Sequence, residues 1–184
     1  MPPIAALAPP PVLPPYAPEM PVSELRTAEA FLVTSLRLWL AGQHRTVAAP
    51  RAQGSHDWRS GFAAAGLDED GAPDFDMALR ILQAGAQPPL ALRDFRHPRL
   101  AADEAHLLQV FGHLQRGDVG AALAELQYRL PTKALRWMLR YVRSAAGAMA
   151  VRGLVLPDRS LPSAAIAHRA SPAAFVDRGA ALLH

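Results

Sequence analysis

The sequence predicts an all-α protein: a single compact helical bundle of five or six helices with flexible termini. Three observations lead there. The chain is 51% hydrophobic but only 7% aromatic, so its core must be built from alanine, leucine and other aliphatic side chains that let helices approach closely. Valine, isoleucine and threonine are too sparse for a sheet. Apolar residues also recur at three- and four-residue spacing in successive windows, most of them closed by glycine or proline.

Residues 1–21 hold nine of the eighteen prolines, a density that removes amide donors and favours extended backbone; a flexible tail is expected. A ligand for an aromatic-lined polyproline groove is the functional alternative, but no basic residue precedes Arg26 to orient it. The first helix is expected from Ser23, a candidate N-cap, to Leu40, with Leu25, Ala28, Leu32, Leu36 and Trp39 on one face and Gly42 closing it. Thr46 to Ser55 reads as a loop. A short helix from His56 to Ala65 places Trp58 and Phe62 four apart, with Gly66 at its end.

Leu67 to Asp76 is acidic, carrying Asp68, Glu69, Asp70, Asp74 and Asp76. Pro73 opens a helix to about Ala84 that buries Phe75, Ala78, Leu79 and Leu82, with Asp74 and Asp76 in a solvated first turn favoured by the helix dipole. Leu90 to Arg99 gives no clear periodicity. Ala101 to Arg116 reads as a leucine-rich helix whose Asp103 and Glu104 favour its N-terminus. Asp118 caps a helix from Val119 to about Leu130, and Pro131-Thr132 opens another that reaches Met149 or Val151 before Gly153. Short connections between these last three helices make a bundle the simplest packing. The folded domain is therefore placed at residues 22–156, and residues 157–184 form an alanine-rich segment with at most one short helix at 173–183.

Leu36-Arg37-Leu38-Trp39-Leu40-Ala41-Gly42, then Asp103-Glu104 opening a leucine-rich helix and Gly117-Asp118 behind it, resembles a group of small helical proteins from proteobacteria with no assigned activity. The resemblance spans about residues 31–126. It implies a helical fold and carries over no site residue.

Missing residue types exclude some chemistries, and spacing speaks against others. Without cysteine there is no disulfide, thiolate metal site, iron–sulfur cluster or cysteine nucleophile. No glycine-rich phosphate loop or nucleophile elbow surrounds Ser35 or Ser60. His106 and His113, with Asp103 one turn before, share a helix face, but two turns hold the histidines about 10 Å apart, an awkward span for ligands that usually lie three or four residues apart on one helix, so partly solvated polar positions are expected. The acidic segment lacks the spacing of a calcium loop. No cofactor is expected. Neither a secretory signal nor a spanning segment is evident, which makes the cytoplasm the expected location.

The feature most suited to a partner is a basic stripe. Lys133, Arg136, Arg140 and Arg143 are spaced 3, 4 and 3 residues apart, a helical repeat beside an apolar face that includes Leu135, Trp137, Met138, Leu139, Tyr141 and Val142. The sequence thus points to a non-enzymatic interaction or regulatory protein that binds another protein through this helical surface. A nucleic-acid-binding protein is the first alternative, because arginine also matches phosphate and the turn at Leu130-Pro131-Thr132 faintly resembles a helix-turn-helix. A small all-α enzyme with a site assembled from distant residues is the second. Either the acidic segment 68–76 packs near the stripe and satisfies it, or the stripe is left for a partner.

Overall fold

The computed structural model describes residues 15–43 and 57–159. Among these, a 3-10 turn at Val22–Glu24 precedes six helices: α1 (Thr27–Gln43), α2 (Trp58–Ala64), α3 (Ala72–Gly85), α4 (Ala102–Gln115), α5 (Val119–Gln127) and α6 (Thr132–Val151). The chain divides into a compact unit of Tyr16–Pro157 and a second unit made of Met1–Pro15 and Asp158–His184, of which Pro15, Asp158 and Arg159 are described. The expected loop at 46–55, most of the proline-rich tail and the short helix at 173–183 lie outside the described residues.

The predicted glycine stops end three helices for one physical reason. Gly66, Gly117 and Gly153 have φ of 69°, 78° and 77°, the left-handed region where a side chain is strained. Each lets the next amide fold back on the helix it terminates: Leu67 N–H donates to Phe62 O, Asp118 N–H to His113 O and Leu154 N–H to Met149 O. Gly42 does no such work, since α1 continues to Gln43.

Helix starts differ more from expectation. Ser23 sits in the 3-10 turn and does not cap α1. Instead the Arg26 N–H donates to Glu29 Oε2 at 2.6 Å, so a glutamate three residues into the chain ahead reaches back. The same device opens α4, where the Ala101 N–H donates to Glu104 Oε2 at 2.9 Å. Asp57 and Asp118 cap α2 and α5 by accepting from Arg59 N–H and Ala121 N–H.

One continuous core joins all six helices. An aromatic chain runs from Phe31 through Phe62 and Phe75 to Phe111, with Trp58 edge-on to Phe62 at 5.3 Å between centroids. Leu32, Leu36, Leu108, Met138, Val142 and Met149 fill the space around it. Buried Ala145 and Ala146 give α6 a small-residue face where neighbours pack close. Tyr16 and Met20 also enter this core, and Leu100 N–H donates to Met20 O while Val22 N–H donates to Pro98 O. The last residues of the proline-rich segment are thus docked, and the fold begins about six residues before the expected boundary at 22.

Candidate functional site

The strongest polar cluster is internal. Arg37 on α1 and Glu104 on α4 form a bidentate ion pair: Nε donates to Oε1 at 2.8 Å and Nη2 to Oε2 at 2.7 Å. Their side chains are 2% and 0% exposed. The remaining Arg37 donors meet the carbonyls of His97 and Arg99, while Glu104 also accepts the N–H groups of Arg93 and Ala101. Burial works to raise the Glu104 pKa, but the Arg37 hydrogen bonds, the Ala101 and Arg93 N–H groups and the Arg37 charge together hold it below its ordinary value of 4.5. Beside it, Asp103 accepts from Ala91 N–H at 2.7 Å and pairs with Arg129. These contacts fix the irregular 90–99 segment against α1 and α4. Beyond suiting the helix dipole, Asp103 and Glu104 are therefore buried tethers.

Asp76 departs from expectation in the same direction. Its carboxylate accepts Trp39 Nε1–H at 2.7 Å and the guanidinium groups of Arg59 and Arg80 at 3.2 and 3.1 Å, fastening α1 and α2 to α3. His106 and His113 do not converge: His106 Nδ1 lies 3.1 Å from Glu125 Oε2, and His113 Nδ1 lies 3.8 Å from Asp118 Oδ2. Among the described residues no group of three or more His, Asp or Glu side chains could hold a metal ion. Nor is any described helix long and apolar enough to cross a membrane.

The basic stripe points outward. Lys133, Arg136, Arg140 and Arg143 are all exposed on α6, opposite its buried face of Leu135, Met138, Val142, Ala145, Ala146 and Met149. Trp137, which sequence reasoning grouped with the apolar side of the helix, is 54% exposed and so belongs to the outer surface.

The acidic segment lies across from the stripe. Near one end of α6, a Cβ at Gly85 would stand 3.1 Å from Leu130 Cδ2 and 3.9 Å from Ala134 Cβ; near the other, a Cβ at Gly71 would stand 3.4 Å from Ala148 Cβ. Helix α3 therefore runs antiparallel to α6, and glycine at 71 lets the turn before α3 approach α6 closely. The result is an open trough of about 960 Å³. Glu69, Asp70 and Asp74 line one side, Arg136, Arg140 and Arg143 the other, and Arg152 packs against Gly66 at one end. Leu67, Leu139, Gly147 and Ala148 also line it. Among the described residues no ion pair crosses the trough, so the two charge sets share one cleft without neutralising each other by contact. Spacing in the sequence revealed both charge sets; only the antiparallel α3/α6 packing could reveal the cleft.

No protein-family model matches the chain, and comparison with curated proteins and with solved structures finds no match to either.

Proposed function

We propose that this chain is a non-enzymatic cytoplasmic interaction or regulatory protein that takes a segment of another protein into the trough between α6 and the 66–74 turn. One observation carries the reading: four cations stand exposed in one row on α6, and among the described residues none of them is in an ion pair. Lys133 stands in the first turn of α6, where the helix dipole disfavours a cation and no acidic residue compensates. The pairs 133/136, 136/140 and 140/143 set like charges at contact spacing, each unfavourable by ~0.2–0.5 kcal/mol. A surface that serves only the bundle has no use for this arrangement, whereas a partner's carboxylates would reverse its sign.

The test is Arg136→Gln, Arg140→Gln and Arg143→Gln together, with partner recovery from native lysate before and after nuclease, then reconstitution from purified components. Retained folding with loss of a nuclease-resistant, stoichiometric protein is the expected result. Unchanged recovery places the binding surface elsewhere. A second reading has a specific observation of its own: exposed Trp137 lies beside Lys133 and Arg140, a combination that stacks and neutralises single-stranded nucleic acid. Association that is lost with nuclease and weakens steeply with salt would favour it.

A further inference from the structure

We infer that the outer face of α6 pairs two copies of this chain across a two-fold axis, with the two α6 helices antiparallel. The inference goes beyond the reading above and does not depend on it. Charge is the first reason. Lys133, Arg136, Arg140 and Arg143 run from the first turn of α6 to just past its middle, whereas the turn carrying Asp68, Glu69 and Asp70 comes alongside its C-terminal end, where a Cβ at Gly71 would stand 3.4 Å from Ala148 Cβ. All three carboxylates of that turn are exposed, and they outnumber Arg152, the cation at that end of the trough. From Met138, level with the middle of the cation row, to Ala148 is about 15 Å of helix. The face is thus positive at one end and negative at the other. A ligand of one sign uses only half of such a face, but a second copy turned end to end lays each positive half against a negative half, the self-complementarity a two-fold interface requires.

The exposed side chains of α6 then give the register. Trp137, Arg140, Ser144, Gly147 and Val151 are spaced 3, 4, 3 and 4 residues apart in one narrow line opposite the buried face, and all five are exposed. That period is the seam of a helix pair. Trp137 and Val151 are its large apolar members, 54% and 84% exposed, and they lie about two turns from Ser144 on opposite sides. An antiparallel pair centred on Ser144 therefore sets Trp137 of each copy against Val151 of the other, giving each exposed apolar side chain a mate. The same centring carries Arg140 to the level of Ala148, beside the other copy's acidic turn. At the crossing stand Ser144 and Gly147, small enough for the two helices to close, and a Cβ at Gly147 meets no heavy atom within 4 Å. Charge and apolar pattern select the same register.

Sedimentation equilibrium of the full chain at low salt should show a reversible dimer that weakens as salt rises. Glu69→Lys with Asp70→Lys, and separately Arg140→Glu with Arg143→Glu, all at exposed positions, should each weaken it about tenfold or more. Mixing the two variants should restore the dimer, because in the mixed pair each reversed set meets a reversed set; that recovery also shows that both variants fold. The chain has no cysteine, so introduced cysteines report the register. Ser144→Cys should cross-link to itself under mild oxidation, whereas Trp137→Cys and Val151→Cys should cross-link when mixed and not when alone. A monomer at every concentration, a dimer indifferent to both reversals, a mixture that stays monomeric, or cross-linking of Trp137→Cys to itself overturns the inference. A monomeric chain that still recovers a protein partner through Arg136, Arg140 and Arg143 sinks the inference and leaves the proposed function standing; a dimer of this register that recovers no partner does the reverse.

Discussion

Arg37 and Arg140 are the same residue in opposite roles. Arg37 is buried, and its guanidinium meets both oxygens of Glu104 and two backbone carbonyls. Arg140 is exposed, sits between like charges at 136 and 143, and has the Tyr141 ring 5.7 Å from its guanidinium. Desolvation explains the difference. A guanidinium withdrawn from water must have its donors and charge met within the protein, so Arg37 is bound to one geometry. Water satisfies Arg140, and the bundle asks nothing of it. The first arginine specifies the fold, and the second is available to a partner.

The largest loss is expected at Glu104. Glu104→Gln retains the side chain's shape but leaves Arg37 buried without a countercharge, a loss of ~3–5 kcal/mol. A fall of roughly 10 °C or more in the thermal midpoint is expected. The sign of the pH dependence follows from the lowered pKa. A carboxyl held below its unfolded value stabilises the fold above about pH 4.5 and loses that contribution as pH falls through the folded pKa. Wild type should therefore converge on Glu104→Gln in acid denaturation below about pH 4.5. A midpoint that Glu104→Gln leaves unchanged would mean that water reaches the pair.

This buried region is also where sequence reasoning had least purchase. Arg37 and Glu104 are 67 residues apart, and each reads locally as an ordinary charge on a helix; neither periodicity nor capping preference records a long-range ion pair. The 90–99 segment is ordered by those same side chains, so it has no local pattern to find. By contrast α3, α4, α5 and α6 were legible because Pro73, Asp118, Pro131 and the glycines act within a turn or two of themselves. The stripe was legible for the same reason: 3, 4 and 3 spacing is a local property. Its outward orientation follows from the larger apolar set on the other side of α6.

Asp76 tests whether the division between tethering and surface charge is graded. It is partly exposed, yet its Oδ1 is the acceptor for the Nε1–H of fully buried Trp39. Asp76→Ala removes that acceptor and should cost ~1–3 kcal/mol, less than the loss at Glu104 because water can approach. Urea denaturation of the variant, with Arg59→Ala and Arg80→Ala as controls, separates the Trp39 bond from the exposed ion pairs, which should contribute under ~1 kcal/mol each. Equal effects in all three variants would contradict the assignment.

Gly147 lies on the exposed side of α6. It is exposed within a helix, and the space around a Cβ there is empty. Gly147→Ala should therefore stabilise the protein by ~0.5–1 kcal/mol through reduced chain entropy in the unfolded state and better helix propensity. A rise of a few degrees in thermal midpoint is the expected readout. A decrease would mean that the position is packed, and the trough would then be narrower than its open form.

The smallest effect is the most informative about the stripe. Arg140→Gln removes a cation from two like-charge pairs, 136/140 and 140/143, each unfavourable by ~0.2–0.5 kcal/mol. It also gives up a weak interaction with the Tyr141 ring, about 0.5 kcal/mol at an exposed site. The two nearly cancel, so stability at low salt should stay within ~0.5 kcal/mol of wild type, in contrast to the several kcal/mol expected at the Arg37–Glu104 pair. Salt supplies the second measurement. Because the repulsion is between exposed charges, raising ionic strength should stabilise wild type more than Arg140→Gln. The ring contact, partly shielded by the aromatic face, should respond less. A loss of more than about 1 kcal/mol in Arg140→Gln would place Arg140 among the tethers with Arg37, since a surface arginine with no structural task has no such energy to lose.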